Sequence, residues 1–104
     1  MLVEVDGCVY DKEQLARSHG HGDLDPVARE AFVNHVHIGG PERSKRAEEI
    51  IAHWSAEFRS RWPGLVFRIY RQVDRDEVVV RFHTVRDGVP NWAEEGVEII
   101  EVKA

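Results

Sequence analysis

The sequence predicts an α+β fold in which a curved antiparallel sheet packs around one long helix and short N-terminal helices. Three observations predict this fold. Two short helical segments precede the alternating segment FVNHVHI, which is typical of a strand. One apolar stripe with helical spacing then runs through residues 41–62. Three β-rich segments separated by turn residues come next, and nearest-neighbour connections would make them an antiparallel meander.

Composition limits the classes to which the chain can belong. Its 104 residues suffice for a single domain, 1–104, with one core, and 42% hydrophobic and 32% charged residues are typical of a globular protein. The net charge of −5 argues against nucleic acid as a partner. No apolar run approaches the about 20 residues of a membrane span, and the acidic start MLVEVDG is unlike a signal peptide. The single cysteine, Cys8, favours a cytoplasmic location.

The N-terminal segment predicts a hairpin followed by a short helix. Asp6-Gly7 lies between two β-rich runs, which is a strong signal for a two-residue hairpin turn. A helix over 11–18 is expected next, with Asp11 as its N-terminal cap and Gln14 as the capping-box partner.

A second short helix is expected to begin at Pro26. Asp25 suits its cap, because its side chain can accept a backbone hydrogen bond from the first turn. We expect this helix to bury Val27, Ala31 and Phe32.

The strand after this helix places two histidines on one face. His35 and His37 alternate with Val36 and Ile38, so the two imidazoles could share a metal ion. The alternative is a polar outer face of the sheet, or a dimer contact. No third ligand with suitable spacing accompanies the pair, so no metal is assigned.

The long helix is predicted from the Gly-Gly-Pro break at 39–41 to the Pro-Gly pair at 63–64. Its apolar positions recur at spacings of three and four, and such a stripe should pack on the sheet. The stripe consists of Ala47, Ile50, Ile51, Trp54, Phe58 and Trp62.

Three strands are predicted in the C-terminal half, over 65–73, 77–85 and 92–103. Alternation turns Val78, Val80 and Phe82 toward the long helix. The opposite, outer face is either an interface or solvated. It is expected to carry Arg68, Tyr70, Arg81 and His83.

A group of mainly aromatic residues on the helix side is the candidate ligand-binding site. These side chains could line a cavity, or they could form ordinary core. They are Trp54, Phe58, Phe67, Ile69, Phe82 and Trp92. Glu98 falls on the same side of the last strand, where it would be either an acid in an apolar pocket or an exposed carboxylate.

Four segments in order resemble the nuclear transport factor 2-like superfamily, in its ketosteroid-isomerase and polyketide-cyclase branch. The first segment is GDLDPVAREAFVNHVHI, and the second is a Gly-Pro followed by a long helix that ends in RWPGLVFRI. The third and fourth are DRDEVVVRFHTV and EEGVEIIEVK, and the likeness covers residues 22–103. The resemblance implies a cone-shaped fold with an apolar pocket, a small apolar ligand and a homodimer through the outer sheet face. Of the family's catalytic residues it implies Glu98 as an acid, while Gly40 and the region of Leu15 stand where the base and the tyrosine would be.

The final strand of that family is missing here, and VEVDGCVYD resembles it. Residues 2–10 could fill the vacant strand position, or a dimer partner could complete the cone. The resemblance and its departures leave two functions open. One is a small-molecule-binding protein with isomerase-, cyclase- or lyase-like activity on a hydrophobic substrate, with Glu98 as acid and no cofactor. The other is a non-catalytic dimerisation or ligand-sensing domain.

Overall fold

A computed structural model describes residues 1–18, 24–87 and 97–104, which form an α+β structure with antiparallel sheets. None of the helices in these ranges is long and apolar enough to cross a membrane. The strands are β1 (Leu2–Val5), β2 (Cys8–Asp11), β3 (His35–Gly39), β4 (Val66–Val73), β5 (Glu77–Thr84) and β6 (Glu98–Lys103). The helices are α1 (Lys12–Arg17), α2 (Pro26–Val33) and α3 (Arg43–Arg61).

The main sheet has the order β3-β5-β4-β6, with every neighbouring pair antiparallel. The predicted meander is therefore wrong at its end, because β6 pairs with β4 instead of β5. β3 already occupies the other edge of β5, which leaves the far edge of β4 for the last strand. The registers confirm the predicted faces, since Val78, Val80 and Phe82 share one face and Arg81 and His83 the other.

The hairpin forms as Asp6-Gly7 predicts, with positive φ at both turn residues (51° and 79°), as a type I′ turn requires. Within the described residues, β1 and β2 pair with each other in a sheet of their own. Residues 2–10 therefore do not fill a strand position of the main sheet, contrary to that hypothesis. Leu2 and Val9 instead pack into the core between the sheet and α3.

Caps define the two short helices. The Asp11 side chain accepts from the backbone amides of Glu13 and Gln14, which confirms the predicted cap of α1. The Asp25 side chain accepts from the amide of Ala28 in the first turn of α2, as expected.

The buried face of α2 differs from the prediction at one position. Val27 and Ala31 are buried as expected, but Phe32 is 44% exposed and Glu30 is fully buried. α2 packs on β2 and β5 through positions 27, 30 and 31, a spacing of three and four, which turns residue 32 outward. The apolar character of Phe32 misled the prediction.

Aromatic rings fill the space between α3 and the main sheet. Phe58 stacks on Phe67 with ring centroids 3.8 Å apart and an interplanar angle of 3°. Phe82 meets Trp54 and Phe58 edge-on, at 4.7 and 5.0 Å. The apolar stripe predicted on the long helix is thus the face that α3 packs on the sheet.

One buried carboxylate links α2, the hairpin and the end of β5. Glu30 accepts hydrogen bonds from the Val9 amide (2.7 Å), the Thr84 amide (2.9 Å) and the Thr84 hydroxyl (2.9 Å). The Arg86 guanidinium lies 2.5 Å from the same carboxylate and also donates to the Gly7 carbonyl at 3.0 Å. Burying a charge is costly unless it is paired and hydrogen-bonded, and here both conditions are met.

Asn34, directly after α2, adds a second connection among the same parts. Its side-chain oxygen accepts from the Asp11 amide and its side-chain nitrogen donates to the Val9 carbonyl, both at 2.8 Å. Its own carbonyl accepts from the Phe82 amide at 3.3 Å. The backbone of the hairpin is therefore hydrogen-bonded to the side chains of Glu30 and Asn34, and the Asn34 backbone is hydrogen-bonded to β5.

Glu30→Gln should lower the free energy of unfolding by about 3 kcal/mol, measured by urea denaturation. The amide of Gln would place its own N–H donors against the backbone and hydroxyl donors from which the carboxylate now accepts. It would also leave the Arg86 guanidinium without its charged partner. Glu48→Gln is the matched control, because that side chain is 73% exposed. We expect it to change stability by less than about 0.5 kcal/mol. Equal, small losses in both variants would contradict a structural role for Glu30.

Candidate functional site

Glu98 lies on the helix side of the sheet, as its register predicts, but not in an apolar pocket. Its carboxylate is half exposed and forms an ion pair with Arg71 at 2.6 Å. The same guanidinium lies 3.8 Å from Glu48 of α3. The apolar enclosure that the predicted acid would need is therefore not what surrounds Glu98. The role of Glu98 as a catalytic acid stays a prediction with little local support.

The predicted ligand-binding residues form core where the structure describes them. Trp92 lies outside the described residues. The other five are at most 1% exposed and pack on one another as core, and of these only Trp54 also borders a described groove. They are Trp54, Phe58, Phe67, Ile69 and Phe82.

A groove of about 360 Å³ opens on the surface where α1 and β2 approach β3 and α3. Its volume is within the usual range for small-molecule sites. Half-buried Val36 and Ile50 provide apolar surface, and Trp54 reaches it from the core. The remaining lining comes from Met1, Asp11, Glu13, Gln14, Arg46, Glu49 and His53.

Asp11 positions one side of this groove. Its Oδ1 caps α1, and its Oδ2 accepts a hydrogen bond from Trp54 Nε1 at 3.3 Å. The carboxylate is thus held by both α1 and α3, which is the kind of support that a precise polar contact needs. We call this groove, with its Asp11, Glu13 and Glu49 carboxylates, the carboxylate groove.

The outer face of the main sheet carries one row of side chains across all four strands. His35, Arg81, Tyr70 and Ile99 lie directly opposite one another in the strand registers. Ile99 is 48% exposed, whereas Tyr70 is buried. The prediction that this face is either an interface or solvated therefore has a mixed outcome, because part of the face is already covered.

A buried polar pair, Tyr70 and His83, lies on that outer face. His83 Nδ1 is 2.9 Å from the Thr84 carbonyl, which can only accept, so this nitrogen carries the proton. His83 Nε2 then accepts from the Tyr70 hydroxyl at 2.7 Å. Burial lowers the pKa of His83 and raises that of Tyr70, so both groups are neutral near pH 7.

His35 and His37 lie together, and each has a different hydrogen-bonding partner. Their rings meet edge-on with centroids 5.2 Å apart. His37 Nδ1 pairs with Glu77 at 3.1 Å, and His35 Nδ1 lies 2.5 Å from the Phe32 carbonyl. In residues 1–18, 24–87 and 97–104, no group of three potential ligands is placed to hold a metal ion. His19 and His21 are outside these ranges.

Sequence reasoning missed the carboxylate groove because its residues come from separate elements. Arg46, Glu49 and His53 recur at spacings of three and four on α3, a second stripe beside the apolar one. That polar stripe alone is typical of a solvated helix face. The groove forms where Met1 and α1 lie beside this stripe.

No family model matches the chain, and neither a curated protein nor a solved structure matches it. The resemblance to the nuclear transport factor 2-like superfamily therefore stays a prediction. The case for a function accordingly rests on the geometry of the described residues.

The Tyr70–His83 pair predicts a loss of stability in mild acid. The folded-state pKa of His83 is lowered, so below pH 6.5 the unfolded chain binds the proton that the folded chain refuses. The stability that neutral His83 contributes is fully present above about pH 6.5. It is lost as the pH falls from there toward the folded-state pKa of His83. Arg68 opposes protonation, whereas Glu30 favours it.

Urea denaturation at pH 7, 6 and 5 should compare the wild type with His83→Gln. For each pH unit of acidification, we expect the free energy of unfolding to fall by up to about 1.4 kcal/mol more in the wild type than in the variant. His53→Gln is the control, because the His53 side chain is 62% exposed and pairs with Glu57 at 3.3 Å within one turn of α3. Parallel pH profiles for the wild type and His83→Gln would contradict the assignment.

Proposed function

We propose that this protein binds a small organic molecule in the carboxylate groove, at the edge of the sheet–helix interior. One observation carries the proposal: the interior is filled by packed rings, while the groove combines apolar surface with converging polar groups. The cone-shaped fold of the nuclear transport factor 2-like superfamily is the fold we infer. The order α2, β3, α3, β4, β5, β6 supports it.

Binding without a chemical step is the form of this function that the contacts favour. Isomerase-, cyclase- or lyase-like chemistry would need a proton acceptor or donor beside the ligand. Gly40 stands where the family's base would be, and Glu98 is paired with Arg71 away from the groove lining. The single buried thiol of Cys8 supports a cytoplasmic location.

Charge indicates the class of ligand. Asp11, Glu13 and Glu49 line the groove, together with the guanidinium-bearing Arg46. The carboxylates thus outnumber the cations, and the chain as a whole carries a net charge of −5. A field of this sign attracts cations and repels anions. We therefore propose an organic cation, such as an ammonium group on an apolar body, as the ligand.

Hexylammonium should bind to the wild type, and hexanoate should bind more weakly or not at all. Amide NMR shifts are expected to concentrate at Gln14, Glu49, Ile50 and His53, which line the groove. Glu49→Gln should weaken hexylammonium binding about two- to fivefold, because one exposed carboxylate contributes a modest Coulomb attraction.

Glu48→Gln is the matched control for this experiment. It removes the same charge from α3, but its side chain lies outside the groove and toward Arg71. Its affinity for hexylammonium should equal that of the wild type. Equal binding of hexanoate and hexylammonium, or shifts scattered over other surfaces, would contradict the proposal.

A homodimer through the outer sheet face is the second candidate function, and it would suit a non-catalytic dimerisation domain. The observation that favours it is the pair of exposed apolar side chains Ile99 and Phe32, which are 48% and 44% exposed. Phe32 contacts His35, which lies in the same cross-strand row as Ile99. Such a face can be self-complementary about a two-fold axis.

Ile99→Lys should convert the dimer to a monomer in sedimentation velocity experiments, because two like charges would be brought together at the interface. Val73→Lys is the control, since Val73 is 69% exposed and lies on the opposite face of the sheet. It should leave the dimer intact. A wild-type chain that sediments as a monomer would contradict this second candidate.

A further inference from the structure

A second groove adjoins the carboxylate groove along α3. Its volume is about 500 Å³, and apolar atoms make up most of its lining. Both grooves include Met1 and His53, so they meet at these two residues. We call the second one the apolar groove. It is lined by Met1, His53, Ala56, Glu57, Ser60 and Arg61.

The spacing along α3 indicates that the two grooves are consecutive parts of one channel. Positions 46, 49, 53, 56 and 60 recur at three and four residues, so they lie on one face of the helix. At a rise of 1.5 Å per residue, Glu49 and Ser60 are about 16 Å apart along the axis. This length suits an extended chain better than a compact ring.

We propose that the two grooves together bind one elongated ligand, an unbranched aliphatic chain with an ammonium head. The inference rests on the proposed function and names its ligand more narrowly. The head lies among Asp11, Glu13 and Glu49, and the chain passes His53 and Met1 to reach Ala56 and Ser60.

Among the residues that the structure describes, the far end of the channel offers no second charged head site. Glu57 accepts from the Leu2 amide at 2.8 Å, and Arg61 donates to the Leu2 carbonyl. Arg61 and Glu57 also lie 3.6 Å apart, so their charges largely offset each other. A ligand with one charged end therefore fits this channel better than one with charges at both ends.

Exposed small side chains keep the channel open. Ala56 and Ser60 are both exposed on α3 and place little bulk above the helix backbone. A methylene chain would gain most of its affinity here from apolar contact with the channel. The small apolar ligand predicted from the sequence is thus specified as an unbranched chain with a positive charge at one end.

Isothermal titration calorimetry with butyl-, hexyl-, octyl- and decylammonium, each kept below its micelle concentration, tests this inference. We expect the wild-type affinity to rise about two- to threefold per methylene through decylammonium, because an open channel covers only part of the chain. Ala56→Gln should reduce the octyl and decyl affinities to the hexyl value while leaving butyl and hexyl unchanged.

Ala52→Gln is the matched control, because Ala52 is exposed on α3 but lines neither groove. It should leave all four affinities unchanged, and both variants should keep the wild-type melting temperature. An affinity that stops rising at hexylammonium, with Ala56→Gln inert, would overturn the elongated ligand but leave the proposed function standing. Decanoate binding as tightly as decylammonium would overturn the ammonium head. A wild type that binds none of the amines would remove the proposed function itself.

Discussion

The buried carboxylate of Glu30 is the contact on which the arrangement of this molecule depends. It accepts from β2, and from Thr84 and Arg86 at and just after the end of β5, so it connects α2 to two parts of the chain that are distant in sequence. Without those donors, an ionised side chain at zero exposure would be strongly unfavourable. Glu30 therefore holds the hairpin, α2 and the main sheet in one geometry, together with the connections that Asn34 makes among the same parts.

This geometry also decides where a ligand can bind. With Phe58 stacked on Phe67 and Phe82 against Trp54, the sheet–helix interior is packed like a crystal of small molecules. Open volume arises instead at its edge, where α1 and the first residue meet α3. Because Asp11 holds the Trp54 indole from outside, core and groove share one hydrogen bond. A change in core packing that moves the Trp54 ring will therefore also move the Asp11 carboxylate in the groove.

Local patterns predicted much of the fold. The Asp6-Gly7 turn, the Asp11 and Asp25 caps and the alternating faces of β5 each depend on residues close in sequence. The errors concern long-range choices. The pairing of β6 with β4 depends on β3 occupying the other edge of β5. The prediction buried Phe32 instead of Glu30, because the partners that make a buried Glu30 favourable lie at residues 9, 84 and 86. The grooves were not predicted, since they exist only between elements.

The partners of Glu30 have a consequence for how the chain acquires its structure during synthesis. The hairpin and α2 leave the ribosome early, but Thr84 and Arg86 emerge more than fifty residues later. Until then the carboxylate lacks three of its four donors and must remain in water, so α2 cannot dock stably. The domain is thus committed to folding after nearly all of its chain has emerged. Incomplete chains would keep their apolar surfaces exposed to chaperones and proteases.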